Sequence, residues 1–391
     1  MAAVIVPRYS AGPPRPTPEP IDREGEVLRE EIVLAKQAFK AAIAEGTKEA
    51  VRRAHLEAKH ADASRNLAAL WRDFRAVGHR FRDQEPIDVA KIDPVLIPVR
   101  SREWTERVFR LARAYWSLPY SKGYGRRLRF VVYDQGHDAV IGILGLQSAP
   151  ADLACRDRLF EGEEKLAWLN STMDAYTVGA VPPYNDLLGG KLVAGMLSTT
   201  DIRRHYWAAY ASRTSILRQE RSQQPLLAVT TASAFGRSSI YNRLRCGDRL
   251  LAEPLGFTKG YGIVHLEALY PRIEAWLARR GEQVPAGFGN GPKVRWQNIQ
   301  IAAHRLGLGS HVLAHGLGRE VFLFRHAANL VPASVGKELP QLFGLSAERW
   351  ASYWLEAYAL PRHRRRPEST AGSGRAAVEQ ALRAFDSAVT T

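Results

Sequence analysis

Cysteine, acid and long apolar runs are what this sequence has little of. Only Cys155 and Cys246 occur in 391 residues, too few for a disulfide framework or a four-thiolate zinc site, and the composition reads as that of a cytoplasmic chain. No apolar run reaches the roughly 20 residues of a membrane-spanning helix. The opening MAAVIV is broken by Pro7 and Arg8 before it takes the form of a secretory signal. A Walker loop, a serine elbow and an H-E-x-x-H pair are all missing. His304, His311 and His315 fall close together, but Gly307 and Gly309 break the backbone between them, so they read as structural histidines and no metal is expected. Acids are outnumbered: Asp+Glu 40 against Lys+Arg 55 leaves a net charge of +15. Such a surplus speaks of partners and not of fold, and nucleic acid, DNA ahead of RNA, is the polyanion it fits best.

What is there suffices for two or three domains with a sizeable core, the apolar fraction being 46%. Residues 1–20, with prolines crowded into SAGPPRPTPEP, read as a disordered tail. Residues 21–85 read as a helical hairpin arm: Asp22 caps a first helix, Gly46 ends it, and a long second helix runs through Leu56, Leu67, Trp71 and Val77. The apolar stripe before Leu67 is sparse, which suggests an arm that projects or meets a partner. A helix Ser101–Trp116 capped by Ser101 follows, then two β-prone runs, Leu128–Tyr133 and Ala139–Leu146, joined around Gly136 as a hairpin. Residues 271–391 read as a mainly helical extension. In it Leu345–Leu360 is an aromatic helix capped by Ser346, and PRHRRRPES is a dense basic run.

The stretch Tyr176–Leu197 organises the middle of the chain. An apolar run, Tyr176–Val181, turns at Pro182-Pro183-Tyr184, crosses Asn185-Asp186 and enters a glycine-led helix at Gly190. A strand feeding a helix N-terminus points unpaired N–H groups at one spot, where an anion can sit. This order resembles the pyrophosphate-binding core of the GNAT acyltransferases, with Asp186 standing where that pattern has a basic or amide residue. The resemblance implies an α/β fold over residues 100–270, a GNAT-like mixed central sheet with helices on both faces. It also implies an acyl donor such as acetyl-CoA held by Val181, Tyr184, Asn185, Gly189, Gly190 and Lys191. Leu226–Ala234 reads as a further strand, Gly236–Leu244 as a short helix and Pro254–Gly262 as a return to the sheet. Tyr241 resembles the tyrosine that protonates the leaving thiolate, and with its neighbour Asn242 is the catalytic candidate.

Three longer runs narrow the resemblance: RRLRFVVYDQGHDAVIGILGLQSAPADLACRDRLFEG, TTASAFGRSSIYNRLRCGDRLLAEPLGFTKGYG and GREVFLFRHAANLV. They are similar to the DruA family of Druantia anti-phage loci, which implies a role in defence beside other subunits of such a system. Members near this pattern carry a strong acid in the strand matched by Leu226–Ala234, where this chain has Val229-Thr230-Thr231. The basic residues interleave with aromatics in several places. Arg203, Arg204, Arg213, Arg237, Arg243, Arg245, Lys259, Arg364 and Arg365 are the candidates for phosphate contact, with stacking on nearby rings. Three functions stay open: nucleic-acid binding, acyl transfer to a nucleobase or other amine, and a scaffold whose arm recruits protein partners.

Overall fold

The alternating apolar runs of the middle of the chain become one mixed sheet in this computed structural model, which describes residues 21–64, 66–118, 123–213, 224–284 and 292–387. The proline-rich tail expected over residues 1–20 lies outside the described residues. The seven strands are β1 (Pro94–Pro98), β2 (Leu128–Asp134), β3 (Ala139–Ser148), β4 (Thr172–Ala180), β5 (Ala228–Ala232), β6 (Glu253–Phe257) and β7 (Glu320–Arg325). They lie in the order β1-β2-β3-β4-β5-β7-β6. β1 to β4 are antiparallel neighbours, β2 and β3 being joined by a tight turn, whereas β5 runs parallel to β4 and needs a helical crossover. That parallel pairing covers only Thr172 to Ala175 against Ala228 to Thr231. β4 continues along β3 as far as Ala180, so β4 and β5 part company halfway.

Ten α-helices have eight residues or more among the described residues: α1 (Arg23–Ala44), α2 (Lys48–Ser64), α3 (Leu67–Val77), α4 (Trp104–Tyr115), α5 (Gly189–Met196), α6 (Thr200–Tyr210), α7 (Tyr270–Arg279), α8 (Pro292–Arg305), α9 (Ala347–Trp354) and α10 (Gly374–Ser387). Helices cover both faces. On one, Leu192, Met196, Ile202, Trp350 and Trp354 close over Ile141, Leu144, Met173 and Ala175. The aromatic stripe of α9 is therefore core. Trp350 Nε1 donates to Leu192 O at 2.8 Å, and Gly195 is required beneath it because a Cβ there would stand 2.1 Å from the ring. On the other face, Phe74, Val108, Leu111, Val378 and Leu382 from α3, α4 and α10 cover Val131, Tyr133, Val140 and Ile143. Ser346 caps α9 as its sequence suggests, accepting from Arg349 N at 3.1 Å.

Four expectations change. The hairpin α1–α2 does not project: Leu28 and Ile32 of α1 are buried against Ile273, Trp276 and Leu277 of α7 and the apolar side of α8. The second helix is two, α2 and α3, with Asn66 at the start of α3. Gly236–Leu244 is a run of turns, since Gly236 (φ 78°) and Arg243 (φ 53°) leave the helical region. Finally, the C-terminal segment is no mere extension, because β7 is an interior strand paired to β5 on one side and β6 on the other. Among the described residues no helix is long and apolar enough to cross a membrane.

Candidate functional site

Leu188 takes the left-handed conformation (φ 62°) and folds the chain back so that Gly189 N donates to Tyr184 O at 2.7 Å. A Cβ on Gly189 would lie 2.6 Å from that oxygen, so only glycine fits. Tyr184 is fully buried, its hydroxyl donating to Asp134 Oδ2 at 2.7 Å, and Val181 is fully buried beside it. Gly190 is buried under Ile240, Trp354 Nε1 donates to Leu188 O at 3.1 Å, and Arg362 Nε donates to Asp186 O at 3.0 Å. Of the six residues expected to hold an acyl donor, four are thus used in packing this turn. Asn185 is exposed, and half-buried Lys191 donates to Asn242 O at 2.7 Å, burial pulling its amine down to about 8. Tyr241 is buried, its ring 5.1 Å from that of Phe322 and its hydroxyl 3.4 Å from Thr231 Oγ1. Burial pushes that phenol up to about 12. Asn242, next to it, is exposed.

The cationic candidates divide. Arg203 turns inward, donating to His326 O at 3.3 Å and Phe343 O at 2.8 Å, and burial lowers its pKa. Arg204 is paired with Asp201 at 2.7 Å. Arg213, Arg237, Arg243, Arg245, Lys259, Arg364 and Arg365 are exposed, and among the described residues none of them forms an ion pair. The turn carrying Arg243 and Arg245 is bound to the helix Leu360–Arg365 through Tyr358. Its hydroxyl accepts from Arg245 N and donates to Arg245 O, both at 3.0 Å. Lys191 stands 5.8 Å from the Tyr358 ring. Arg364 and Arg365 follow Tyr358 by about two helical turns, so the backbone of the Arg243–Arg245 turn is tied to a segment more than a hundred residues on in sequence that leads into this basic helix. Lys259 and Arg237 belong elsewhere, on the two loops that flank Arg319: Arg319 N donates to Thr258 Oγ1 at 3.0 Å, and Gly236 lies against Gly318.

Beside those loops, where β4 and β5 begin to part, sits a carboxyl that the sequence reading missed. Asp174 Oδ1 accepts from Thr230 Oγ1 at 3.0 Å and Oδ2 accepts from Gln147 Nε2 at 3.1 Å. It stays partly open to solvent, while burial raises its pKa against the pull of those two hydrogen bonds and of Arg319 and Arg156. β5 carries Val229-Thr230-Thr231 where an acid was sought. The register places Asp174 level with Thr230, so the carboxyl at that height comes from the neighbouring strand. Its signal in the sequence is an acid inside the otherwise apolar, β-prone TMDAYTVGA, overlooked because the strand was begun at Tyr176 and not at Thr172.

Two other polar groupings are structural. Asp134, the last residue of β2, is fully buried. It accepts from Tyr184, from Asp93 N at 2.9 Å and from Gly136 N at 3.0 Å, and it holds His137 Nδ1 at 2.7 Å. His137 Nε2 in turn accepts from Asp88 N at 3.2 Å, which leaves that imidazole no nitrogen for substrate. His315 is buried with His55 and His265 around Phe39, while His304 and His311 are exposed, so the three histidines close in sequence do not converge. Among the described residues no three metal-ligating side chains are grouped. Burial raises both cysteine thiols, which keeps them from acting as thiolates.

Comparison with known proteins places these residues in a family context. A family model described as Druantia protein DruA matches residues 45–334. The Druantia protein DruA of Escherichia coli (strain UMEA 4076-1) is 37% identical over 286 residues, which span 71% of this chain and 70% of that protein. No solved structure matches the chain.

Proposed function

The chain belongs to the DruA family, and from that premise we propose that it serves anti-phage defence by binding nucleic acid through the cationic end built from the Arg243–Arg245 turn and the Leu360–Arg365 helix. One observation carries the reading: Tyr358 holds the backbone of Arg245 to the segment that runs into the Leu360–Arg365 helix, and among the described residues no carboxylate is paired to Arg243, Arg245, Arg364 or Arg365. Cations that the fold leaves without a counter-charge become most favourable when phosphates replace their counterions. Nothing in such a surface reads base sequence, so the binding is of the backbone-positioning kind.

The core is read as GNAT-like, supported by the antiparallel run β1–β4, the parallel β4–β5 pair that separates after Thr231, and α5 packed on β3 and β4. Acyl transfer is not the favoured activity, because the turn before α5 spends its backbone groups on Tyr184 and is covered by Ile240 and Trp354. Other subunits of a defence system are the expected protein partners. The test is a gel shift at low salt with single- and double-stranded DNA and RNA. Retention that weakens as salt rises is the expected result, with DNA held at least as well as RNA, and absence of retention on all four forms refutes the reading.

A further inference from the structure

The α3–α4 face of the sheet is covered in two patches with a polar interval between them. Toward one end, Val131, Tyr133, Val140 and Ile143 lie under α3, α4 and α10. Toward the other, Leu227, Ala228 and Leu323 lie under Phe160 and Trp168. In the interval, Gln147, Asp174 and Thr230 form a row across three adjacent strands, Gln147 opposite Asp174 and Asp174 level with Thr230. Thr230 and Gln147 each supply one donor to the carboxyl and so fix its plane. Gln147 itself is only 9% exposed, and its Oε1 has no hydrogen-bond partner within the fold. A buried amide acceptor left open is uncommon enough to call for an explanation.

We propose that this row reads the edge of a nucleobase of amidine type, adenine or cytosine, with the Asp174 carboxylic acid donating to the ring nitrogen and the exocyclic amino group donating to Gln147 Oε1. An acid hydroxyl beside an open carbonyl is a donor–acceptor pair, and only a ring nitrogen flanked by an amino group complements it. On the Watson–Crick edge guanine, uracil and thymine put a ring N–H where the acid must donate. Enzymes and receptors that take up unstacked bases read the same Watson–Crick edge in this way. Arg319, exposed at the rim, is electrostatically coupled to Asp174 on one side and to His55 and His315 on the other, and suits the phosphate.

The protonated form that this requires is the one burial favours at Asp174. The charged and titratable groups facing it are Arg319 from the loop before β7, Arg156 from the helix Ala154–Asp157, and the phenols of Tyr124 and Tyr241. Burial raises both phenols and holds them neutral.

The inference leans on the nucleic-acid reading only for the source of the base, since a free nucleotide and an unpaired nucleotide of a strand present the same edge. The full chain is titrated calorimetrically with AMP, CMP, GMP and UMP, and with short single-stranded oligonucleotides of each base, over a series of pH values rising from the ordinary carboxylate range. AMP or CMP, or the A or C oligonucleotides alone if the source is a strand, should bind with affinity that falls as pH rises and the donor proton is lost. Asp174→Asn keeps an N–H donor and should bind with a flat pH profile. Asp174→Leu should weaken binding by about tenfold to a hundredfold. Equal binding of all bases, binding of none in either form, or an Asn variant whose pH profile follows that of the parent overturns the proposal. Should the Leu variant not fold, the pH profile of the Asn variant decides alone. Loss of gel-shift retention with the nucleotide titrations intact would sink the cationic-end reading and leave this one standing.

Discussion

Along the seam between α1 and α7, the arginines of α7 meet the carboxylates of α1: Arg272 with Glu31, Arg279 with Glu24 at 2.5 Å and Arg280 with Asp22 at 3.1 Å. Asp22 also caps α1 by accepting from Gly25 N at 2.7 Å, and that backbone bond leads the causes holding its carboxyl below the usual range. Arg243, Arg245, Arg364 and Arg365 are exposed, as Arg272 and Arg279 are, and have no such partners among the described residues. Both sets are surface arginine, so exposure does not separate them. What separates them is whether the fold supplies the counter-charge. A matched set can be satisfied in the isolated molecule, whereas an unmatched set held on rigid elements is satisfied only by something outside it.

The sharpest way to break this contrast is to remove the unmatched set. Replacing Arg243, Arg245, Arg364 and Arg365 together by alanine should leave the melting temperature unchanged or slightly raised. If all four meet phosphates, the slope of log affinity against log salt should fall by roughly 3.6, which near 0.15 M salt is about a thousandfold in affinity for duplex DNA. An unaltered slope in a salt series would show that these arginines are as idle as any solvated charge.

The matched seam should respond in the opposite sense. Leu28→Ala removes a buried side chain from the α1–α7–α8 cluster and should cost about 3 kcal/mol in chemical denaturation while leaving DNA affinity where it was. A loss of DNA binding at unchanged stability would mean that the hairpin takes part in the interface. Acid offers a third probe. His55, His265 and His315, packed around Phe39, are each held near about 4, burial being the largest cause. Their folded pKa lies below the unfolded value, so the unfolded chain binds more protons between about 4 and the ordinary histidine value near 6.5, and stability falls as pH drops through that window. From pH 7 to pH 5 the loss should be on the order of 2 kcal/mol for each histidine that titrates independently, seen as faster amide exchange in α1 and α2 before the central sheet. Exchange that accelerates evenly over the whole chain would separate the effect from this cluster.

The sequence made the elements legible wherever a pattern was local. The hairpin around Gly136, the strand before Pro182, the Ser346 cap and the aromatic face of Trp350 and Trp354 are spelled by neighbours within a few residues. The turns from Gly236 to Leu244 were misread because left-handed backbone at Arg243 leaves no trace in periodicity. The site was less legible because its partners are distant in the chain. Arg203 reads as a surface cation until residues 326 and 343 supply the carbonyls that turn it inward. Asp174 reads as an acid before a strand until Thr230, 56 residues on, comes into register beside it. Helix capping and hairpin closure are decided locally, whereas the pairing of β4 with β5 is decided by the whole crossover.

The smallest effect is the one that most sharpens the comparison. Glu31→Gln keeps the shape of its side chain and removes the charge facing Arg272. Arg272 is about half exposed (48%), so water already screens the pair and its rupture should cost only about 0.2–1 kcal/mol. The seam is held mainly by Leu28, Ile32 and Trp276, and the ion pairs set the register of α1 against α7 instead of supplying the bulk of the stability. The variant therefore leaves one arginine newly unmatched on a fold that is still intact. If lack of a carboxylate were sufficient to recruit nucleic acid, this substitution would raise DNA affinity measurably. The expectation is no change, because Arg272 would stand alone, whereas phosphate binding needs several cations spaced along a strand. Equal gains from Glu31→Gln and from a restored arginine at position 243 would reduce the cationic end to net charge, and only a difference between them makes its geometry count.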